Sequence, residues 1–430
     1  MDFNGLSIDQ APPISGPLRF FITAPLFGIM AGVMLLFSDS ASLMSRYSMD
    51  AIVIAHLLTI GLFGFIMLGA LTQMLPVLAS ANIPKVKFVA SLSHMLLLIG
   101  LLLMSFGLTQ NNALALFLAS GALGGGFLIL VVSMLYAISG VEHFTASVKG
   151  MLVSLIFAFM IVIMGLYLLY GYAQNNLTEL HYIVANIHSV WAVFGFAGIL
   201  IIGVAFQVLP MFYVAPRFKQ FCKKRVVLLI STGLLIWMVL NIFAEQYALY
   251  AKLWIATFFW AFATTVWIKF NKRKRPISDV TVWYWRAASI FLTLGSFLWI
   301  FDEFFKHQYI VMVGILIGGG FILSIMLGML YKIVPFLVWF HLNAEGYMTI
   351  PTMNEMIDKN LARVQFILFI AALIGFVFAF YMPMALFPSA VAFIVSMMLL
   401  EYNVLAPVWI YIQTKKRKPD FDMSSFSMTN

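Results

Sequence analysis

The sequence predicts an all-α polytopic membrane protein, with twelve transmembrane helices in three pseudo-symmetric arcs of four. Three observations predict it. Of 430 residues, 63% are hydrophobic and 10% charged, with a mean hydropathy of +1.01, whereas a soluble domain carries about 25% charged residues. Twelve apolar runs reach the ~20 residues that a helix needs to cross a bilayer. One motif recurs in three of those runs, at nearly constant spacing.

In chain order the runs fall at roughly 18–37, 51–79, 87–108, 112–139, 149–173, 180–212, 225–244, 247–269, 283–305, 309–340, 362–382 and 386–413. They leave room for a single membrane domain over 1–430 and almost nothing for a soluble one. The first run has neither a basic leader nor a small-residue cleavage site, so it reads as a retained helix. Basic residues cluster after the second span (Lys85, Lys87), the fourth (Lys149), the sixth (Arg217, Lys219, Lys223, Lys224, Arg225), the eighth (Lys272, Arg273, Lys274, Arg275) and the twelfth (Lys415, Lys416, Arg417, Lys418). The alternate loops are acidic or neutral (Asp50, Glu179, Glu245, Asp302, Glu303), with Arg46 the exception. The positive-inside rule then puts both termini in the cytoplasm, as for a multi-pass protein of a bacterial inner membrane. The net charge of +9 is spent on topology, so nucleic acid is not an expected partner. Cys222 is the only cysteine, which excludes an internal disulfide and any cysteine cluster.

The motif reads GALTQMLP (to Pro76), GVAFQVLP (to Pro210) and GMLYKIVP (to Pro335). Each copy has Gly seven residues before Pro, a polar side chain three before (Gln73, Gln207, Lys332) and another Gly fifteen before (Gly61, Gly195, Gly320). The copies lie 134 and 125 residues apart, in the second, sixth and tenth spans. A basic residue near the start of the first, fifth and ninth spans (Arg19, Lys149, Arg286) echoes the period. The chain therefore reads as three units, approximately 15–140, 145–272 and 280–414, with 415–430 a cytoplasmic tail. Units of one direction predict a parallel pseudo-threefold ring, not the inverted repeats of many transporters. The glycines allow a neighbouring helix or a flat ligand to come close. The proline is expected to end or kink its helix, with the polar side chain helping to satisfy freed backbone groups.

These stretches carry a resemblance. VGILIGGGFILSIMLGMLYKIVP is similar to the tenth helix of the heme-copper oxidase catalytic subunit (subunit I), in its cbb-type cytochrome c oxidase and nitric-oxide-reductase branches. HLLTIGLFGFIMLGALTQMLP resembles the second helix of that superfamily, and HSVWAVFGFAGILIIGVAFQVLP the sixth. The resemblance implies twelve helices in three arcs of four. With so few ligands kept, the chain looks like a divergent, NnrS-like member.

An imidazole inside a bilayer is expensive and marks a functional-site hypothesis. His56 lies about five residues, ~8 Å, inside the periplasmic end of the second span. His188 has similar depth in the sixth span, and His181 stands seven residues earlier on the same face. In the family, the helix-2 histidine is an axial ligand of the low-spin heme and the helix-6 histidine binds copper. The resemblance therefore implies a b-type heme on His56, copper as a further option at His188, and His181 as a third metal-site candidate. Each could instead be a buried neutral imidazole bonded to a carbonyl. Gly61, one and a half turns below His56, is expected to leave room for the macrocycle. The departures are large. The family's helix-10 histidine positions hold Val313 and Ile315, with Met312 beside them, and the seventh span has no histidine at all. A complete oxygen-reducing centre is not expected.

Glu401 is the one carboxylate deep in a span and a candidate for a proton path. Lys332 is expected to snorkel toward the cytoplasmic surface. Asp302 and Glu303 read as a solvated helix end. Three functions stay open: a heme-binding redox, gas-sensing or respiratory protein, served by a cytochrome c or another membrane subunit; a transporter of a metal ion or small molecule; and an assembly or scaffold subunit that has lost its cofactors. Lipid is the partner common to all three.

Overall fold

Twelve helices long and apolar enough to cross a bilayer build the computed structural model, which describes residues 12–274, 279–305 and 307–421. Arg275 of the basic loop and the tail beyond 421 lie outside the described residues. The spans are α1 (Ser15–Phe37), α2 (Met49–Ala79), α3 (Val86–Thr109), α4 (Ala113–Ser139), α5 (Ala146–Ala173) and α6 (Glu179–Tyr213). They continue as α7 (Gln220–Phe243), α8 (Glu245–Asn271), α9 (Val280–Phe305), α10 (Ile310–Ala344), α11 (Lys359–Ala379) and α12 (Pro383–Thr414). Several begin at polar caps outside the apolar run. Ser48, Asn112, Thr145 and Asp358 each accept a first-turn N–H of the helix that follows, at 2.8–3.3 Å.

Three helices sit inside the other nine. In their most apolar windows, α2, α6 and α10 are 61%, 78% and 61% buried, against 28–44% for the rest. Around them the outer helices follow one another in contact: α1, α3, α4, α5, α7, α8, α9, α11, α12 and back to α1. The junctions α4–α5, α8–α9 and α12–α1 thus do the same job three times. This is the twelve-helix polytopic fold that the composition and hydropathy predict.

The inner helices share an internal irregularity. Leu57–Gly64 in α2, Trp191–Gly198 in α6 and Ile315–Leu323 in α10 are wound as π-helix. Each π segment contains the glycine fifteen residues before the motif proline. Each of those glycines is met by a phenylalanine of the preceding outer helix: Phe27 on Gly61, Phe157 on Gly195 and Phe291 on Gly320. A methyl group at any of the three would come within 3.0 Å of that ring.

The prolines do not end their helices. α2 runs three residues past Pro76, α6 three past Pro210, and α10 nine past Pro335 to Ala344. Packing on neighbouring helices overrides the local stop. The helper role expected of the polar residues fails for Lys332 as well, since its ammonium bonds Asp279, the cap of α9, at 2.6 Å.

Candidate metal centre

His56 closes the α-helical first part of α2, just before the π segment. Its Nδ1–H donates to the Ile52 carbonyl, one turn back, at 2.7 Å. His188 stands three residues before the π segment of α6, and its Nδ1–H donates to the Ile161 carbonyl of α5 at 3.0 Å. A carbonyl only accepts, so in both rings the proton sits on Nδ1 and the Nε2 lone pair is left free. Gly165 of α5 makes room for the His188 ring, whose Cε1 would stand 3.2 Å from a β-carbon there.

The two rings face each other across the arc boundary. Their centroids are 6.3 Å apart and their planes differ by 27°. A metal–imidazole bond of about 2 Å, plus about 1 Å to the ring centre, puts two rings on opposite sides of one metal ion roughly 6 Å apart. The centroid spacing matches that of two imidazoles sharing one iron or copper ion. The donor set goes no further: among the described residues no three His, Cys, Asp or Glu side chains converge.

The room for a flat cofactor is not where the sequence suggests. Gly61 does not leave a slot, because the Phe27 ring fills it. Open space adjoins α10 instead. Gly314 and Gly318, one turn apart, have nothing within 4 Å of where a side chain would begin. The π segment of α10 in turn packs against those of both α2 and α6.

Arg46 joins this site from the α1–α2 loop. Its guanidinium donates to Asn186 Oδ1 at 3.3 Å and to Ser189 Oγ at 2.9 Å, on either side of His188. Burial lowers its pKa, and among the described residues no carboxylate pairs with it. In the sequence Arg46 stands out only as the exception to the charge rule. That anomaly, a lone cation in a loop otherwise acidic or neutral, was the signal for it.

The other candidates lie apart. His181 is buried among Tyr167, Tyr172 and Tyr182, with ring centroids 5.0–6.4 Å away, and its Nδ1 has no hydrogen-bond partner. Glu401 holds one buried, unpartnered carboxylate oxygen in α12, and no hydrogen bond among the described residues links it to the imidazole pair. Met312 is buried in α10. Asp302 and Glu303 are not a solvated helix end: Asp302 is buried and accepts the Tyr309 N–H at 2.7 Å, while Glu303 pairs with Lys252. Lys332 reaches out of its span to the loop end of α9, where the partly exposed Asp279 holds its ammonium. Burial works to raise the Asp279 pKa, but the Lys332 charge and hydrogen bonds from Lys332, Thr281 and the Val282 N–H outweigh it and hold the carboxyl below its ordinary value.

A second polar cluster lies between α9, α10, α11 and α12. Tyr284 and Tyr331 both donate to Gln365 Oε1, and Gln365 Nε2 donates to Ser396 Oγ at 2.8 Å. Both hydroxyls end on one amide oxygen, so the cluster ties the four helices together. No family model matches the chain, and no curated protein matches it either.

Proposed function

We propose that the chain is a divergent heme-copper-oxidase-like membrane protein in which His56 and His188 hold one metal centre, the iron of a b-type heme, without a complete oxygen-reducing centre. The observation that carries this reading is the imidazole pair: two rings with free Nε2 atoms, each locked through Nδ1, at the spacing of opposed ligation. A heme iron supplies one-electron chemistry when bound, and its axial ligands decide its use. Two opposed imidazoles favour electron transfer over gas sensing, since a gas would first have to displace one of them. Arg46, short of a counter-ion, suits the carboxylate edge of such a cofactor. A respiratory role in a bacterial inner membrane, with cytoplasmic termini and a cytochrome c or another membrane subunit as electron partner, belongs to the same proposal.

The test is to compare the parent with His56→Ala and His188→Ala, made in heme-replete cells at equal expression. The parent should show a six-coordinate b-type spectrum. His56→Ala should lose most of its heme, and His188→Ala should keep a five-coordinate iron that now binds carbon monoxide. Stoichiometric copper without heme would make the pair a two-coordinate copper site, since no third His, Cys, Asp or Glu joins it among the described residues. A parent with neither heme nor copper would overturn the proposal and leave a scaffold.

A further inference from the structure

Arg286 is a charge that topology does not explain. The positive-inside rule accounts for cations in loops, whereas Arg286 stands six residues inside α9. A charge within a span is costly unless something pairs with it. Among the described residues no carboxylate does. Its guanidinium donates to Asn271 Oδ1, at the end of α8, at 3.2 Å and lies 5.4 Å from the centre of the Trp267 ring. That bond uses one of five N–H donors, and the covered Nε has no partner. The half-buried side chain thus reaches along α8 toward its basic end.

The surroundings are positive below and apolar above. Lys272 and Lys274 follow Asn271, both exposed. Between residues 214 and 286 the sequence holds two acids, Glu245 and Asp279. Glu245 begins α8 at its far end, and Asp279 is bonded to Lys332. Lys269 donates to the Pro216 and Arg217 carbonyls at 2.8 and 2.9 Å, which draws the basic α6–α7 loop against this same end. Above Arg286, α9 presents Ile290, Leu294 and Phe297, each about half exposed. They follow at four, eight and eleven residues, one face of a helix. At 1.5 Å per residue this stripe runs about 16 Å, close to the hydrocarbon depth of one leaflet.

We propose that the seam between α8 and α9 binds an anionic phospholipid. Its phosphate would sit on the Arg286 guanidinium and the Lys272 ammonium, with an acyl chain along Ile290, Leu294 and Phe297. A guanidinium fork matches phosphate oxygens. The partly exposed Trp267 ring beside it suits the boundary between headgroup and chain. The occupant is a lipid and not a soluble phosphate because the cation stands at the foot of an apolar stripe. A zwitterionic lipid brings its own ammonium and gains less from a field that is already positive.

The probes are phosphatidylglycerol, phosphatidylcholine and free glycerol phosphate, added to the purified full-length protein in detergent, with bound lipid counted by native mass spectrometry. Phosphatidylglycerol should bind saturably and about tenfold more tightly than phosphatidylcholine, and glycerol phosphate should not displace it. Arg286→Gln should weaken phosphatidylglycerol about fivefold, the loss of one cation near a membrane surface, and leave phosphatidylcholine unchanged. Lys149→Gln, the same charge change at the corresponding place in the second unit, should alter neither. If Arg286→Gln does not accumulate, Lys272→Gln removes the second cation outside the span and should weaken phosphatidylglycerol by a similar factor. Equal binding of the two lipids, displacement by glycerol phosphate, phosphatidylglycerol binding unchanged in Arg286→Gln, or an equal loss in Lys149→Gln overturns the proposal.

Discussion

Gly61 shows how much of a site a residue type can reveal and where it stops. Its small size was legible, but the reason for it was not, because Phe27 lies on another helix. Gly61→Ala is expected to destabilise the protein by about 1–3 kcal/mol through overpacking. In a Phe27→Ala background the same change should be nearly neutral, since the new methyl then has room. Thermal unfolding in detergent of the four proteins of this cycle checks it, and strictly additive losses would refute the contact. The imidazoles were easier to find, since a histidine at that depth stands out against apolar neighbours. Their pairing was not legible, because no local rule says which face of α2 meets which face of α6. Arg46 was visible as a misplaced charge, yet its partners Asn186 and Ser189 lie more than a hundred residues along the chain.

The inner helices differ from ordinary spans in their π segments, and these decide what face each histidine presents. A π turn adds a residue to the helical ladder, and such turns are frequent at functional sites. Each residue rotates an α-helix by about 100°, so one added or removed residue re-aims everything on one side relative to the other. Deleting Thr59 from the π segment of α2 should therefore swing His56 away from His188 while leaving the Pro76 end in place. If the pair holds the proposed centre, the expected outcome is membrane insertion at the parent level with at least a tenfold loss of bound heme or copper. Retention of the cofactor would show that the π turn does not set the imidazole. Neither the π segments nor the continuation of α10 past Pro335 was legible locally. Both depend on neighbours that cover the freed backbone, and propensity does not see them.

Twelve spans were legible because length and hydropathy act on each helix alone, whereas the ring was legible only through the thrice-repeated motif, because its contacts join helices distant in sequence. Twelve spans put the start of α1 and the end of α12 on one side. Reporter fusions after residues 45, 110, 177 and 246 should all report the periplasm, with basic loops on the opposite side. A cytoplasmic signal at two of the four sites would break the count. The contact of α12 with α1 has a consequence for biogenesis. Gly28 and Gly32 give α1 a seam onto which Met397 and Ile394 of α12 close. α1 thus waits for α12 to be made before that seam is covered. A nascent chain stalled short of residue 390 keeps an unclosed flank in the lipid, open to foreign helices and to membrane proteases. The ring then closes only once α12 has been made, and a chain truncated before it would be marked for disposal by its own open edge.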